Sequence, residues 1–316
     1  MVNEPFNFNK LKANLPQMMD LRIDFAFKLL FATGDTRWLI SLLNAIFENK
    51  GIHRIIKSLR IINPGIEKKS AEDKFAILDI QAELDDTSIV CIEMHLYGLD
   101  ELKYKVLRSW ARVYGEEIQQ GDSFKSLKPV ICISFINGAI KDHEEKPFEQ
   151  IHSIFHIMER ETYQTLLTDL ELHYINMDAF VKSITKTPDY TEEWSMFHKW
   201  LVLINHKHIQ NKELLEDICK KEGEIRMATE ALLKASEDKY ARHAYLRRQD
   251  EILFYEKKLA TIEELTATMK EKDAAILKKD TALLEKDTAL LEKDTALLEK
   301  DALIARLQAR LDEYSN

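Results

Sequence analysis

One run constrains this chain more than any other: Pro129 to Ile136, PVICISFI, in which Ser134 is the only polar side chain. A strand turns successive side chains to opposite faces, so an apolar run without alternation belongs to a strand covered on both sides, as central strands are. What precedes it supplies the cover. Ile23, Phe27, Leu30 and Phe31, then Leu39, Ile40, Leu42, Leu43, Ile46 and Phe47, recur at helical spacing, with Gly34-Asp35 as a break between two helices. Ile52 to Ile62 reads as a connector with a short extended run, stopped by Asn63-Pro64-Gly65. Phe75, Ile77, Asp79, Gln81 and Glu83 then alternate as a strand does. Asp85 to Ser88 can turn, and Ile89 to Leu96 returns as a largely buried strand, which makes a β-hairpin. Val106, Leu107, Trp110, Val113, Tyr114 and Ile118 mark a helix from Tyr104 to Gln120 ending at Gly121. Helix pair, hairpin, helix and buried strand, in that order, is an α/β arrangement.

Downstream, Ile151 to Met158 and Leu172 to Met177 read as two further strands and Trp194 to Ile204 as a helix. From about Lys207 Gly and Pro nearly vanish and the chain reads as helix to its end, where KDTALLE occurs three times in succession from Lys279 to Glu299. Ile262, Met269, Ile276, Leu283, Leu290, Leu297, Ile304 and Leu311 form an apolar column every seven residues, the signature of a helix that shares a seam with a partner. A coiled coil is the natural reading. The second seam position falls on Lys272, Lys279, Lys286 and Lys293, or on Asp273, Asp280, Asp287 and Asp294. A rival register pairs Ala260, Ala267, Ala274, Thr281, Thr288 and Thr295 with Leu277, Leu284, Leu291 and Leu298, and leaves Glu285 and Asp287 beside the seam, where like charges repel. Orientation and strand number therefore stay open, as does a solvated single helix made by duplication of a short unit.

Bulk properties narrow the function. With 8 Gly, 6 Pro and 31% charged residues, few turns can be punctuated and helix should dominate. MVNEPFNFNKLKANLP lacks a basic patch followed by an apolar core, and no stretch approaches the roughly 20 apolar residues of a membrane span, so a cytoplasmic location without membrane partners is expected. Cys91, Cys132 and Cys219 are far apart in sequence and lack CxxC spacing, which argues against a disulfide framework or a structural zinc site; Cys91 and Cys132 sit in apolar runs and should be buried packing. There is no GxSxG elbow, GxxxxGK[ST] loop, GxGxxG helix start or HExxH pair, which excludes serine-hydrolase, nucleoside-triphosphate and zincin readings. The net charge of −9 offers no global attraction to nucleic acid, although an acidic tail can mask a locally basic groove.

One constellation can carry chemistry. Metal-assisted phosphodiester hydrolysis needs carboxylates that hold a hard cation and a polar group beside the attacking water. In the hairpin, Asp79 on the first strand can approach Glu93 on the second, and the period of two puts Glu93 and His95 on one face, with the Met94 carbonyl between them. On spacing alone a solvated or salt-bridged sheet face explains the same residues. Lys103, Lys105, Arg108, Arg112, Lys125 and Lys128 follow in sequence and can supply phosphate contacts, or remain solvated.

DFAFKLLF (Asp24 to Phe31), LLNAIF (Leu42 to Phe47), the LDIQAELDD and CIEMH hairpin (Leu78 to His95) and RSWARVYGEEIQQGDSFKSLKPVICISFI (Arg108 to Ile136) resemble, in order and spacing, the recombination-promoting nuclease and putative transposase family of the PD-(D/E)XK superfamily. No single block is specific; their co-linear occurrence over roughly residues 20 to 137 is. The resemblance implies a restriction-endonuclease-like α/β fold, a mixed β-sheet flanked by helices, followed here by the long helix or coiled coil. Together with the apolar spacing it gives a flexible N-terminus (1–19), a nuclease-like domain (20–206), a helical connector (207–258) and a coiled-coil tail with the KDTALLE repeats (259–316). It implies a Mg²⁺- or Mn²⁺-dependent DNA endonuclease linked to recombination or mobile elements, with Asp79 and Glu93 as metal carboxylates and Asp24, at the family's acidic position on the first helix, supporting a metal or its water. His95 departs from the pattern, since the family generally has Gln there and the superfamily Lys. A neutral imidazole can position a water or take its proton, and an imidazolium can face phosphate charge. Lys103, Arg108 and Lys125 would steady the DNA and the tail would join copies into a homo-oligomer. The rival expectation is a nuclease-like module that has lost catalysis and binds DNA or protein, organised by the coiled coil.

Overall fold

A computed structural model describes residues 13–62, 80–96, 101–116, 118, 121, 123–186, 194–211 and 213–314. Its elements are α1 (Asp24–Phe31), α2 (Thr36–Glu48), β1 (Leu59–Ile61), β2 (Ile80–Leu84), β3 (Ile89–His95), α3 (Leu102–Glu116), β4 (Val130–Ile136), β5 (His152–Met158), β6 (Thr165–Asn176), α4 (Met177–Lys186), α5 (Met196–Ile204), α6 (Glu213–Lys221), α7 (Gly223–Glu237) and α8 (Lys239–Tyr314). The strands form one mixed sheet in the order β1-β2-β3-β4-β6-β5. β3, β4 and β6 run parallel, while β1 and β2 on one side and β5 on the other are antiparallel to their neighbours. This is the mixed sheet flanked by helices and followed by a long helix that the sequence led us to expect.

The apolar run of β4 is buried at every residue because both faces are covered. On one face Cys91, Val130, Cys132 and Ile136 pack with Leu102, Val106 and Val113 of α3. On the other, Phe135 meets Phe27 of α1 with ring centroids 5.5 Å apart, and Phe31 of α1 meets Trp200 of α5 at 5.7 Å. Gly34 separates α1 from α2 for a steric reason: a Cβ there would lie 2.3 Å from the Leu30 carbonyl oxygen. Asp35 then caps α2 by accepting from the Arg37 amide at 3.0 Å. The β2–β3 turn closes through Thr87, at φ 70°, with the Asp86 carboxylate accepting from the Ser88 amide at 3.0 Å.

Several elements differ from the sequence reading: the helix read from Trp194 starts at Met196, the continuous helix read from about Lys207 is three helices that break at Glu222 and Asp238, and α4 is absent from that reading. α3 starts at Leu102 and stops at Glu116, and Gly121, although left-handed at φ 102°, lies beyond it. β6 begins at Thr165, whose first residues are exposed and so carry no apolar alternation; pairing with β5 holds them. Among the described residues no helix is long and apolar enough to cross a membrane.

The chain divides into two compact units, Met1–Glu251 and Ile252–Asn316. In the first, α6 and α7 bury Leu214, Leu215, Ile218, Ile225, Ala228 and Leu232. The residues just before α1 reach into this unit: Met18, Met19 and Leu21 are buried, the Met19 amide donates to Ser236 Oγ at 2.9 Å, and the Asp20 amide to Tyr245 Oη at 3.1 Å. In the second, the KDTALLE repeats are helical and their leucines exposed.

Candidate functional site

The parallel register sets Glu93 beside Ser134 and Ser134 beside Tyr174, one row across three central strands on the face that α3 covers. All three are buried, Glu93 at 7% exposure. One pair towards the amino ends, Cys91 and Cys132 are direct neighbours, both free and buried. Burial and the neighbouring thiol and carboxylate push the Cys132 thiol well above its ordinary pKa, the Cys91 thiol first among the causes. Tyr174 is likewise pushed up, by burial first and then by Cys132 and Glu93. Glu93 is thus an acid placed in a poorly solvated row, a setting that rewards a compensating positive charge.

His95 stands over that acid. Its Nε2 is 2.7 Å from Glu93 Oε2, yet it is sealed from solvent and makes no directed hydrogen bond. A buried carboxylate oxygen is a donor that a divalent cation would satisfy, so Glu93 fits a metal, with the imidazole of His95 beside it. Among the described residues no three His, Cys, Asp or Glu side chains gather as a metal site. The β2–β3 ladder is described as far as Ile80 opposite Ile92, and Asp79 lies outside the described residues.

Asp24 opens α1, where a carboxylate suits the helix dipole. It is held by Arg248 of α8 in a bidentate pair, with Nε 2.8 and 2.9 Å from its two oxygens and a further contact at 2.6 Å. Two residues earlier, buried Arg22 ties this corner to the sheet. It donates to Asn205 Oδ1 at 2.8 Å and to Asn137 Oδ1 at 2.6 Å, and lies 3.3 Å from Asp178. The Asn137 amide in turn donates to the His95 carbonyl at 3.2 Å. The amino end of α1 and the carboxyl ends of β3 and β4 therefore share one end of the sheet. Asp20 is there too, paired with His208 at 2.8 Å; burial opposes its charge, but His208 and the Arg22 amide outweigh it and hold its pKa below the ordinary value. None of Arg22, Asn137, Asp178 or Asn205 was singled out from sequence. The available signal was position, since Asn137 and Asp178 follow the carboxyl ends of parallel strands, where open α/β sheets place their sites.

The basic candidates separate. Lys103, at the start of α3, reaches the Lys141 and Asp142 carbonyls at 3.4 and 3.3 Å and so lies at the same end as Glu93 and His95. Arg108 is exposed midway along α3. Lys125 is exposed in the turn Phe124–Ser126, which leads into the amino end of β4, the opposite end of the sheet. Lys128 is engaged with Glu83 at 2.9 Å.

Among known families, the model described as PD-(D/E)XK nuclease family transposase matches residues 21–262. No curated protein and no solved structure matches the chain.

Proposed function

The chain belongs to the PD-(D/E)XK nuclease family transposases, and on that footing we propose that it is a divalent-metal-dependent DNA endonuclease acting in recombination or mobile-element movement, in the cytoplasm. The observation that carries the reading is the buried Glu93 carboxylate with His95 Nε2 at 2.7 Å, at the carboxyl end of the central strands. When bound, Mg²⁺ or Mn²⁺ supplies the positive charge that polarises the scissile phosphate and eases ionisation of the attacking water. Glu93 and Asp79 would hold the cation; Asp79 precedes Ile80 in sequence, and the ladder partner of Ile80, Ile92, precedes Glu93. His95 orients the water and accepts its proton, or as imidazolium faces the charge developing on the phosphate. Asp24 supports the same corner. Lys103 and Arg108 contact phosphates and position the strand without reading its sequence, while Lys125, at the opposite end of the sheet, meets only a more distant stretch of the DNA.

We extend the proposal to assembly. In KDTALLE the charged residues are consecutive, so the repeat places no opposite charges three or four residues apart to stabilise a lone helix. Its exposed leucines, such as Leu283, Leu290 and Leu297, then favour a partner helix from a second copy, which suits an enzyme that must cut two strands.

A second reading, a catalytically impaired DNA-binding or interaction module, draws on a different observation: Asp24 is already paired with Arg248, and Glu93 with an imidazole where the superfamily has Lys. Nicking of supercoiled plasmid with Mg²⁺ or Mn²⁺, run beside Asp79→Ala, Glu93→Gln and His95→Gln, separates the two. Metal-dependent nicking lost in both carboxylate variants supports the nuclease. No nicking by the parent and none gained in His95→Gln leaves the binding module.

A further inference from the structure

We infer that the outer face of α3 is a contact surface for an unpaired DNA strand, with Tyr104 stacking on an exposed base next to the Glu93–His95 end of the sheet. The inference rests on the endonuclease reading and adds to it a contact for unpaired DNA beside the duplex it cuts.

α3 buries Leu102, Val106, Ser109 and Val113 and turns the remaining stripe outwards. That stripe is Tyr104, Leu107, Arg108, Ala111 and Arg112, spaced at three and four residues and so on one face. With Lys103 and Lys105 the helix carries four cations, two of them facing acids at its ends, Lys105 with Glu101 and Arg112 with Glu116 at 4.0 Å, and between those ends no acidic residue intervenes, in a chain whose net charge is −9. A local cation surplus against an acidic background is the electrostatic footprint of a polyanion partner.

Charge alone would serve a duplex equally well, and the aromatic residue separates the cases. Tyr104 is 66% exposed. The other aromatics of α3 are accounted for by the fold: Trp110 and Tyr114 stack on each other, Trp110 Nε1 donates to the Asp169 carbonyl at 3.2 Å and Tyr114 Oη to the Asp169 carboxylate at 2.7 Å. Tyr104 has no such task. Lys103 Nζ lies 5.5 Å from its ring centroid while also bonded to the Lys141 and Asp142 carbonyls, which holds cation and ring together. In a duplex the base faces are stacked on each other and only phosphates and groove edges meet a protein, so a free ring gains nothing there. An unpaired strand offers base faces, and rings interleaved with cations are how such strands are gripped. A second copy of this chain fits less well, because a two-fold contact would set Arg108 and Arg112 against the same cations of the partner copy.

The test measures fluorescence anisotropy of the full-length protein with a labelled single strand and with its duplex, in EDTA so that binding is read without cleavage. Tyr104→Ala should weaken single-strand binding by about ten- to a hundredfold, the effect of one base–aromatic stack, and leave duplex binding within about twofold. Tyr104→Phe should retain single-strand affinity. Arg108→Ala with Arg112→Ala should weaken both forms and lessen their salt dependence. Equal affinities in Tyr104→Ala and parent overturn the inference while leaving the endonuclease reading intact; binding of neither DNA form by the parent overturns both. A change of oligomeric state in Tyr104→Ala, read by sedimentation, would also overturn it, since the face would then join copies of the chain.

Discussion

Acid should destabilise this fold through one buried file of side chains, and the size of the effect follows from its geometry. Asn49 Nδ2 donates to His152 Nδ1 at 3.1 Å, His152 Nε2 to His173 Nδ1 at 2.9 Å, and His173 Nε2 to Glu171 Oε1 at 2.6 Å. With the Asn49 amide so turned, each ring uses its single proton on the next acceptor, and both imidazoles are neutral. The file is shut in by Phe47 and Phe197, with His152 and His173 at 2% and 0% exposure. A second proton on His173 would meet the His152 N–H, and one on His152 requires the Asn49 amide to turn over. Burial, then His173 and Lys50, push His152 from 6.5 to about 3, and burial lowers His173 despite Glu171 beside it. The folded state therefore binds fewer protons than the unfolded chain below the ordinary histidine pKa. Stability is full above that value and falls as pH drops towards the folded one. For His152 alone the loss between about pH 7 and about pH 5 is about 2 kcal/mol, and His173 adds in the same direction. Urea unfolding followed by tryptophan fluorescence measures it, since all 4 tryptophans lie in the sheet-bearing unit. His152→Gln keeps a donor for His173 but cannot titrate, so its midpoint should move clearly less between the two pH values. Equal losses in parent and variant would refute the reasoning.

Further outcomes follow from the site. Glu93→Gln should lower metal-dependent nicking by about three orders of magnitude, the scale of a lost metal ligand, and abolish the Mn²⁺-induced rise in melting temperature of the parent. His95→Gln, which cannot take a proton, should lower metal-dependent nicking while keeping the Mn²⁺-induced rise in melting temperature; an unchanged nicking rate would show that His95 does not act on the water. Arg248→Ala should cost about 1–3 kcal/mol in unfolding, because the bidentate pair with Asp24 is only partly exposed on both sides. A chain ended after His206 should fail to unfold cooperatively, whereas one ended after Glu251 should do so, because Met19 and Asp20 are bonded to Ser236 and Tyr245; near-ultraviolet circular dichroism distinguishes the two.

By itself the sequence determined the central strand and most of the elements around it, though not α4 or the breaks between α6, α7 and α8. Apolar spacing of two, of three to four and of seven is written within a few neighbouring residues, so α1, α2, the β2–β3 hairpin, β4 and the long α8 were legible, and Glu93 and His95 were bound to share a face of β3. α3 was legible in kind but not in extent, because its ends carry little apolar pattern. What only the tertiary structure decided were the meetings between distant residues. Cys91 and Cys132, separate in the chain, became neighbours because β3 and β4 pair in parallel at that register. Arg248 found Asp24 across 224 positions, Arg22 reached Asn137, Asn205 and Asp178, and two histidines joined into one buried file with Glu171. Hydrophobic periodicity says which face an element must bury, and that term is large and local. Which polar groups are then trapped opposite one another depends on how the buried faces are stacked, through hydrogen bonds worth a kilocalorie or so each that leave no period in the sequence.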